Sequence, residues 1–285
     1  MNSRTVLNIG FAAATLALGA FLYFAAHKAP TDAAEHFSLI PERAEDLARI
    51  EIRRRGQSAI VLERKGLSWR MAEPRQARLD EVQLARVLDV ARFRAVERMS
   101  ADDLGRFELD NLWAQIRFNR HAVEFGTINA LTQELYLRSG EHVYAVPSRL
   151  GAAVPGDAAK LLAHRLFAPD EQPVAFELKQ FALKHDGVRW VLTPSDPGLS
   201  QDDLIRWVDQ WRLASSIATL PGSATRNAES IKIELRDGRS VALAVLERTP
   251  NLILQRQDEL LQYHLPASWV ATLLAPPNAT GAQKP

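Results

Sequence analysis

The chain has 285 residues, 47% of them hydrophobic and 24% charged, with a formal net charge of +1 and no cysteine. This composition excludes a largely disordered chain, disulfides, thiolate metal sites and a cysteine nucleophile, and its near-neutral charge removes the electrostatic case for nucleic acid. The length suggests about two domains at ~100–200 residues each.

The predicted elements begin with residues 6–26, which carry no charge. As a helix rising ~1.5 Å per residue they extend about 31 Å, the thickness of a bilayer's hydrocarbon core. Val6, Phe11, Leu16, Leu18, Phe21, Phe24 and Ala26 are expected membrane-spanning positions, and Gly10 and Gly19 suit close helix packing. The run is longer than a secretory h-region, and its best cleavage position, after Ala29, is followed by Pro30. We therefore expect residues 1–28 to be a cytoplasmic stub and an uncleaved signal anchor. A short stub carrying Arg4, ahead of a large following domain, predicts N-in, C-out topology in the inner membrane. In a bacterium the rest of the chain is then periplasmic. Arg4 and Lys28 supply +2, leaving 33 basic against 34 acidic residues beyond them.

Residues 29–46, polar and with two prolines, read as a spacer. Over 47–150 the pattern predicts a first α+β repeat. Three alternating runs separated by turns at Gly56 and Gly66 form a meander ending at Pro74. A helix over 81–97, capped by Asp80, presents Val82, Ala85, Leu88, Val90, Phe93 and Val96. A helical turn and loop over 102–110 follow, then four strands over 113–118, 122–125, 134–138 and 142–146. Residues 151–172 read as a connecting linker with a short helix over 154–167. Over 173–274 the plan recurs: three strands, a helix capped by Ser200 or Asp202 and running to Leu213, then four strands. Residues 275–285 form a small polar tail.

The recurrence is positional. Arg92 and Arg212 are 120 apart, Ile116 and Ile233 are 117 apart, and so are Leu135 and Leu252. The expected fold class is α+β: one N-terminal transmembrane helix, then two tandem repeats of a mostly antiparallel β-sheet unit with one main helix each.

No phosphate loop, dinucleotide fingerprint, zincin motif or nucleophile elbow occurs. The seven histidines include no pair at local metal-ligand spacing. Asp102, Asp103, Glu108 and Asp110 cluster but lack the spacing of a calcium loop, so capping and a solvated loop explain them. Arg53, Arg54 and Arg55 read as a charged sheet face, and Trp69, Trp190, Trp207 and Trp211 as core. Gly126, Thr127, Asn129 and Thr132 mark a Gly/Thr/Asn-rich loop, a candidate binding loop whose plainer reading is a hairpin connection. No catalytic, cofactor or metal residue is assigned.

Ile50-Glu-Ile-Arg, Gly56-Gln57, Ile60-Val-Leu-Glu-Arg, Trp69-Arg-Met with Pro74, Asp103-Leu with Leu109-Asp110, Ile116-Arg-Phe-Asn119, Val123-Glu-Phe-Gly126, Asn129-Ala-Leu-Thr132 and Val143-Tyr144-Ala-Val146 together resemble the bacterial DUF4340 family, a domain of unknown function. The resemblance is good over 47–150 and looser over the second repeat. Where the family has Gly-Leu-Asp before a proline, this chain has Glu108-Leu-Asp-Asn111-Leu. The resemblance implies one N-terminal membrane helix and an exported domain. Some members are found beside ABC-transporter components of the kind linked to gliding motility, which implies an auxiliary or scaffold role. It supplies no catalytic residue.

The expected function is a non-catalytic, single-pass periplasmic scaffold or auxiliary subunit of an envelope complex. Its expected partners are the inner membrane and other envelope proteins, an ABC transporter among them, with no nucleic acid, cofactor or identifiable small ligand. Two alternatives stay open: a binding module for an envelope polymer or lipid, and a hydrolase whose residues converge only in three dimensions.

Overall fold

The computed structural model describes residues 36–225 and 228–278, together with Leu18. The expected anchor therefore lies outside the described residues except for Leu18, which is helical and exposed; the tail beyond 278 lies outside them too. Among the described residues no helix is long and apolar enough to cross a membrane.

The first part of the chain runs through β1 (Phe37–Ser38), β2 (Arg49–Arg54), β3 (Ile60–Lys65), β4 (Ser68–Glu73), β5 (Ala77–Arg78) and helix α1 (Glu81–Arg92). It continues through β6 (Arg94–Ala95), β7 (Glu97–Ser100), β8 (Ala114–Phe118), β9 (His121–Ile128), β10 (Glu134–Ser139) and β11 (His142–Pro147). The second part has β12 (Pro173–Glu177), β13 (Ala182–His185), β14 (Trp190–Thr193), α2 (Gln201–Leu213) and β15 (Ala218–Pro221). β16 (Glu229–Leu235), β17 (Ser240–Glu247), β18 (Asn251–Arg256) and β19 (Leu261–Pro266) complete it.

Two large sheets result, in the orders β5-β4-β3-β2-β8-β9-β10-β11-β7 and β14-β13-β12-β16-β17-β18-β19-β15. Apart from β5, the two orders are the same permutation, and in each the helix follows the opening meander. The register supports the match: Ile116 faces Ile52 across β8 and β2, and Ile233 faces Phe176 across β16 and β12. Each strand pair is antiparallel, which suits a sheet with one face on a core and one face in water. Alternation sets that face. Ile50 and Ile52, Ile116 and Phe118, Val123 and Phe125, and Leu135 and Leu137 are all buried, as are Ile231, Ile233, Leu252, Leu254 and Tyr263 in the second sheet.

A helix covers each face. Asp80 accepts from the amides of Val82 and Gln83 to start α1, which buries Val87, Leu88, Val90 and Ala91. Ser200 and Asp203 form a reciprocal capping box for α2. Trp207 and Trp211 of α2 pack on Phe176, with ring centroids 5.0 and 5.6 Å away. Both helices end with an Asp–Arg pair one turn apart, Asp89–Arg92 and Asp209–Arg212.

Several expectations are corrected. The first helix stops at Arg92 rather than 97, because Phe93 is extended. Val82 and Val96, expected on its apolar face, are 61% and 58% exposed. Residues 97–100 instead form β7, which completes the sheet beside β11. The counterpart β15, also absent from the sequence reading, completes the second sheet beside β19. Gly126 and Thr127 belong to β9, not to a loop. The connecting helix expected over 154–167 is reduced to a 3-10 turn, Ala158–Leu161, capped by Asp157. The residues after that turn are extended because their backbone groups are taken from both sides. Asp80 donates to the Leu161 carbonyl, Ala163 donates to that of Arg78, and Ser216 donates to that of His164. The linker thus lies like a strand between β5 and the segment leading into β15, with bridges Leu79–Leu162 and Arg165–Ser215.

Candidate functional site

The linker brings together the largest group of buried charges. Along β18, Leu252, Leu254 and Arg256 share one face by alternation, so Arg256 is driven inward and is 2% exposed. Its guanidinium donates to both oxygens of Glu171 at 2.7 and 2.9 Å and to both oxygens of Asp258 at 2.7 and 3.0 Å. It also donates to the Leu166 carbonyl at 2.8 Å. From β5 of the first sheet, Arg78 reaches the same place. It donates to Glu259 at 2.5 and 3.1 Å, to Tyr263 Oη at 2.7 Å, and to the carbonyls of Arg165 and Leu166, each at 3.1 Å. Tyr263 in turn donates to Glu259 at 2.9 Å. Arg75 donates to the Leu260 carbonyl beside this cluster.

The electrostatics follow from this pairing. Burial pushes the Glu171 carboxyl up, but the Arg256 fork and the Ala168 amide outweigh it and hold the group down at about 2. Asp258 is likewise lowered: burial works against its charge and Arg256 prevails. Burial raises the Tyr263 phenol well above its ordinary value. A general acid or base needs a proton that exchanges near the working pH. Glu171 and Asp258 are held as ion-pair acceptors of Arg256 and the Tyr263 hydroxyl donates to Glu259, so the cluster ties the linker to both sheets. Sequence reading missed all five of Arg78, Glu171, Arg256, Glu259 and Tyr263. For Arg256 and Tyr263 the signal was present: each falls on the inward side of an alternating strand, where a polar group requires a buried partner.

The candidate loop residues are drawn into a second, smaller structural role. Gly126 is buried, and a Cβ placed on it would lie 2.7 Å from Leu109 Cδ2 and 3.1 Å from the Phe107 carbonyl oxygen. The Gly126 carbonyl accepts from the Trp113 indole at 2.6 Å. Asn129 organises the turn. Its Oδ1 accepts from the amides of Leu131 and Thr132, and its Nδ2 donates to Tyr136 Oη at 2.8 Å. Thr127 is half-buried and Thr132 exposed. Arg55 bonds the backbone of Asn111, and Arg54 lies over the Trp113 ring, so the arginine run is partly used within the sheet edge. Trp207 and Trp211 are buried, whereas Trp69 and Trp190 are half-buried.

An open groove of about 720 Å³ lies at the β7–β11 edge. It presents Arg98, Ser100, Asp102, Glu141 and His142, groups of both signs. Ser100 donates to Asp102 at 2.7 Å, and Arg98 lies over the Phe37 ring at 4.1 Å. Among the described residues no three His, Asp or Glu side chains come together as metal ligands would.

Fold and cluster define the class of protein: two antiparallel sheets of one plan, each with a helix on its face, joined through a linker whose Glu171 pairs with Arg256 and whose carbonyls accept from Arg78. The chain belongs to the DUF4340 family, described as a domain of unknown function, whose profile matches residues 69–234 and so spans parts of both sheets. No curated protein and no solved structure matches it.

Proposed function

We propose that this protein is a non-catalytic scaffold or auxiliary subunit of an envelope complex. In this reading residues 6–26 tether it to the inner membrane, and a tandem duplication of one sheet-and-helix unit stands on the periplasmic side. The observation that carries the reading is the Arg78–Glu259–Tyr263–Arg256–Glu171 cluster, in which Arg78 of the first sheet bonds Glu259 and Tyr263 of the second part of the chain. A fixed spacing between two similar surfaces is what a scaffold requires. Co-purification of the tagged full-length chain after in-cell crosslinking, under several mild detergents, tests it. Specific envelope proteins are expected in the eluate, and recovery of the chain alone in every detergent overturns the reading.

The open groove beside β7 supports a second reading, a binding module for an envelope polymer or lipid. That reading requires saturable binding by the fragment 30–285.

A further inference from the structure

The two sheets differ at one edge. In the first, β5 lies against the outer side of β4, with Arg78 opposite Arg70 and Ala77 opposite Met71. In the second, β14 is the outermost strand, and among the described residues no counterpart of β5 covers it. The chain between is of equal length in both units: Pro74 to the cap Asp80, and Pro194 to the cap Ser200.

The cause is local chemistry. The Arg78 carbonyl faces outward to the linker, accepting from Ala163. By alternation Ala77 then turns its amide and carbonyl toward β4. The residue 120 positions after Ala77 is Pro197, which has no amide hydrogen to give, and Gly198 follows it. This segment instead closes a turn in which Asp196 accepts from the Gly198 amide at 2.8 Å. Segment 195–199 therefore does not repeat the pairing that β5 makes with β4.

The exposed edge has a defined pattern. The backbone N–H and C=O of Trp190 are bonded to the side-chain amide of Gln201, at 2.9 and 2.8 Å. Those groups thus point away from β13, and two residues on, those of Leu192 do the same. Val191 (40% exposed) on the strand, Ile205 (44%) on α2 and Val188 (89%) at the hairpin tip are exposed apolar residues of the elements at this edge. Charged or proline-bearing edges discourage pairing; this one, between Trp190 and Thr193, has neither.

We propose that β14 accepts an extended segment of a partner protein as an added antiparallel strand, with a small apolar residue opposite Leu192 and an aliphatic one opposite Val191. The occupant is argued from the equivalent edge, where β5 is such a strand and places Ala77 opposite the buried Met71. Strand addition draws affinity from main-chain bonds and specificity from alternate side chains. The inference names a contact surface for the scaffold reading and rests on that reading.

The test uses the full-length chain in detergent and a synthetic peptide of residues 73–80 carrying Arg78→Val, which presents Ala and Val in the required register. The control peptide also carries Ala77→Pro. With the first peptide at millimolar concentration, amide exchange at Leu192 is expected to slow by about tenfold, and with the proline peptide not at all. Val191→Lys, a substitution at an exposed edge position, is expected to keep the melting temperature and abolish the protection. Unchanged exchange at Leu192 with the first peptide, or equal slowing with the proline peptide, overturns the inference. Either result removes this edge alone, whereas recovery of the chain without crosslinked partners removes the scaffold reading itself.

Discussion

Replacing Arg78 by Met tests whether the buried cluster is a clamp. Arg78 makes five hydrogen bonds, two to Glu259, one to Tyr263 and two to the carbonyls of Arg165 and Leu166. Met fills a similar volume but leaves Glu259 buried, with the Tyr263 hydroxyl at 2.9 Å and Arg256 Nε at 3.7 Å as its remaining partners. Removing one member of a buried pair costs about 3–5 kcal/mol, because the surviving charge has lost its compensation. For a folded part of this size that is a fall in melting temperature of roughly 6–20 °C. The triple variant Arg78→Met, Glu259→Met, Tyr263→Phe removes the orphaned charge and phenol together. Leu166 keeps its bond from Arg256, so chiefly the Arg165 carbonyl is left bare. The triple variant is therefore expected to be more stable than the single one. Urea unfolding of the three proteins, followed by tryptophan fluorescence, makes the comparison. An Arg78→Met protein within about 1 kcal/mol of wild type, or a triple variant that loses more than the single, refutes the reasoning.

Other outcomes follow from the same geometry. Glu171 has a folded-state pKa of about 2 against an ordinary 4.5, so its contribution is complete above pH 4.5 and is lost as pH falls toward 2. Integrated over that interval it amounts to roughly 3 kcal/mol. Urea midpoints measured from pH 6 down to pH 3 should fall more steeply for wild type than for Glu171→Gln, and parallel curves would contradict the pairing. Gly126→Ala should cost about 1–3 kcal/mol, since the Phe107 carbonyl must move to admit the methyl group; a neutral effect in thermal melting counts against the close packing. Asn129→Ala should cost about 1–2 kcal/mol and speed amide exchange at Leu131 and Thr132, whose hydrogens it would release. Deleting residues 1–28 should move the chain from the membrane to the soluble fraction after lysis, and retention in the membrane would argue against the tether.

Much of the architecture is legible because strand alternation is a local property. Ile50 and Ile52, Ile116 and Phe118, and Leu135 and Leu137 announce their inward faces without reference to any other strand. The caps Asp80 and Ser200 are equally local, each bonding amides within three residues. β7 and β15 were invisible for the opposite reason. Glu97–Ser100 and Ala218–Pro221 have no clear alternation, and become strands because β11 and β19 offer them an edge. The linker shows the same override. Leu162 and Ala163 suit a helix, but the bonds from Asp80 and to Arg78 hold the stretch after Leu161 extended.

The sequence by itself determined the compartment expectation, the repeated plan and the inward residues of most strands, since each depends on neighbours a few positions away. Only the tertiary structure decided which charges meet. Arg78 and Glu259 are 181 residues apart, and Arg256 and Glu171 are 85 apart. No periodicity links such positions. They pair because the linker lays one sheet edge against the other, and a buried charge is stable only where an opposite one is already waiting. The edge of β14, next to which no strand lies among the described residues, falls between these cases. Pro197 is plain in the sequence, but its meaning appears only when the second sheet is set beside the first, where Ala77 holds the equivalent place.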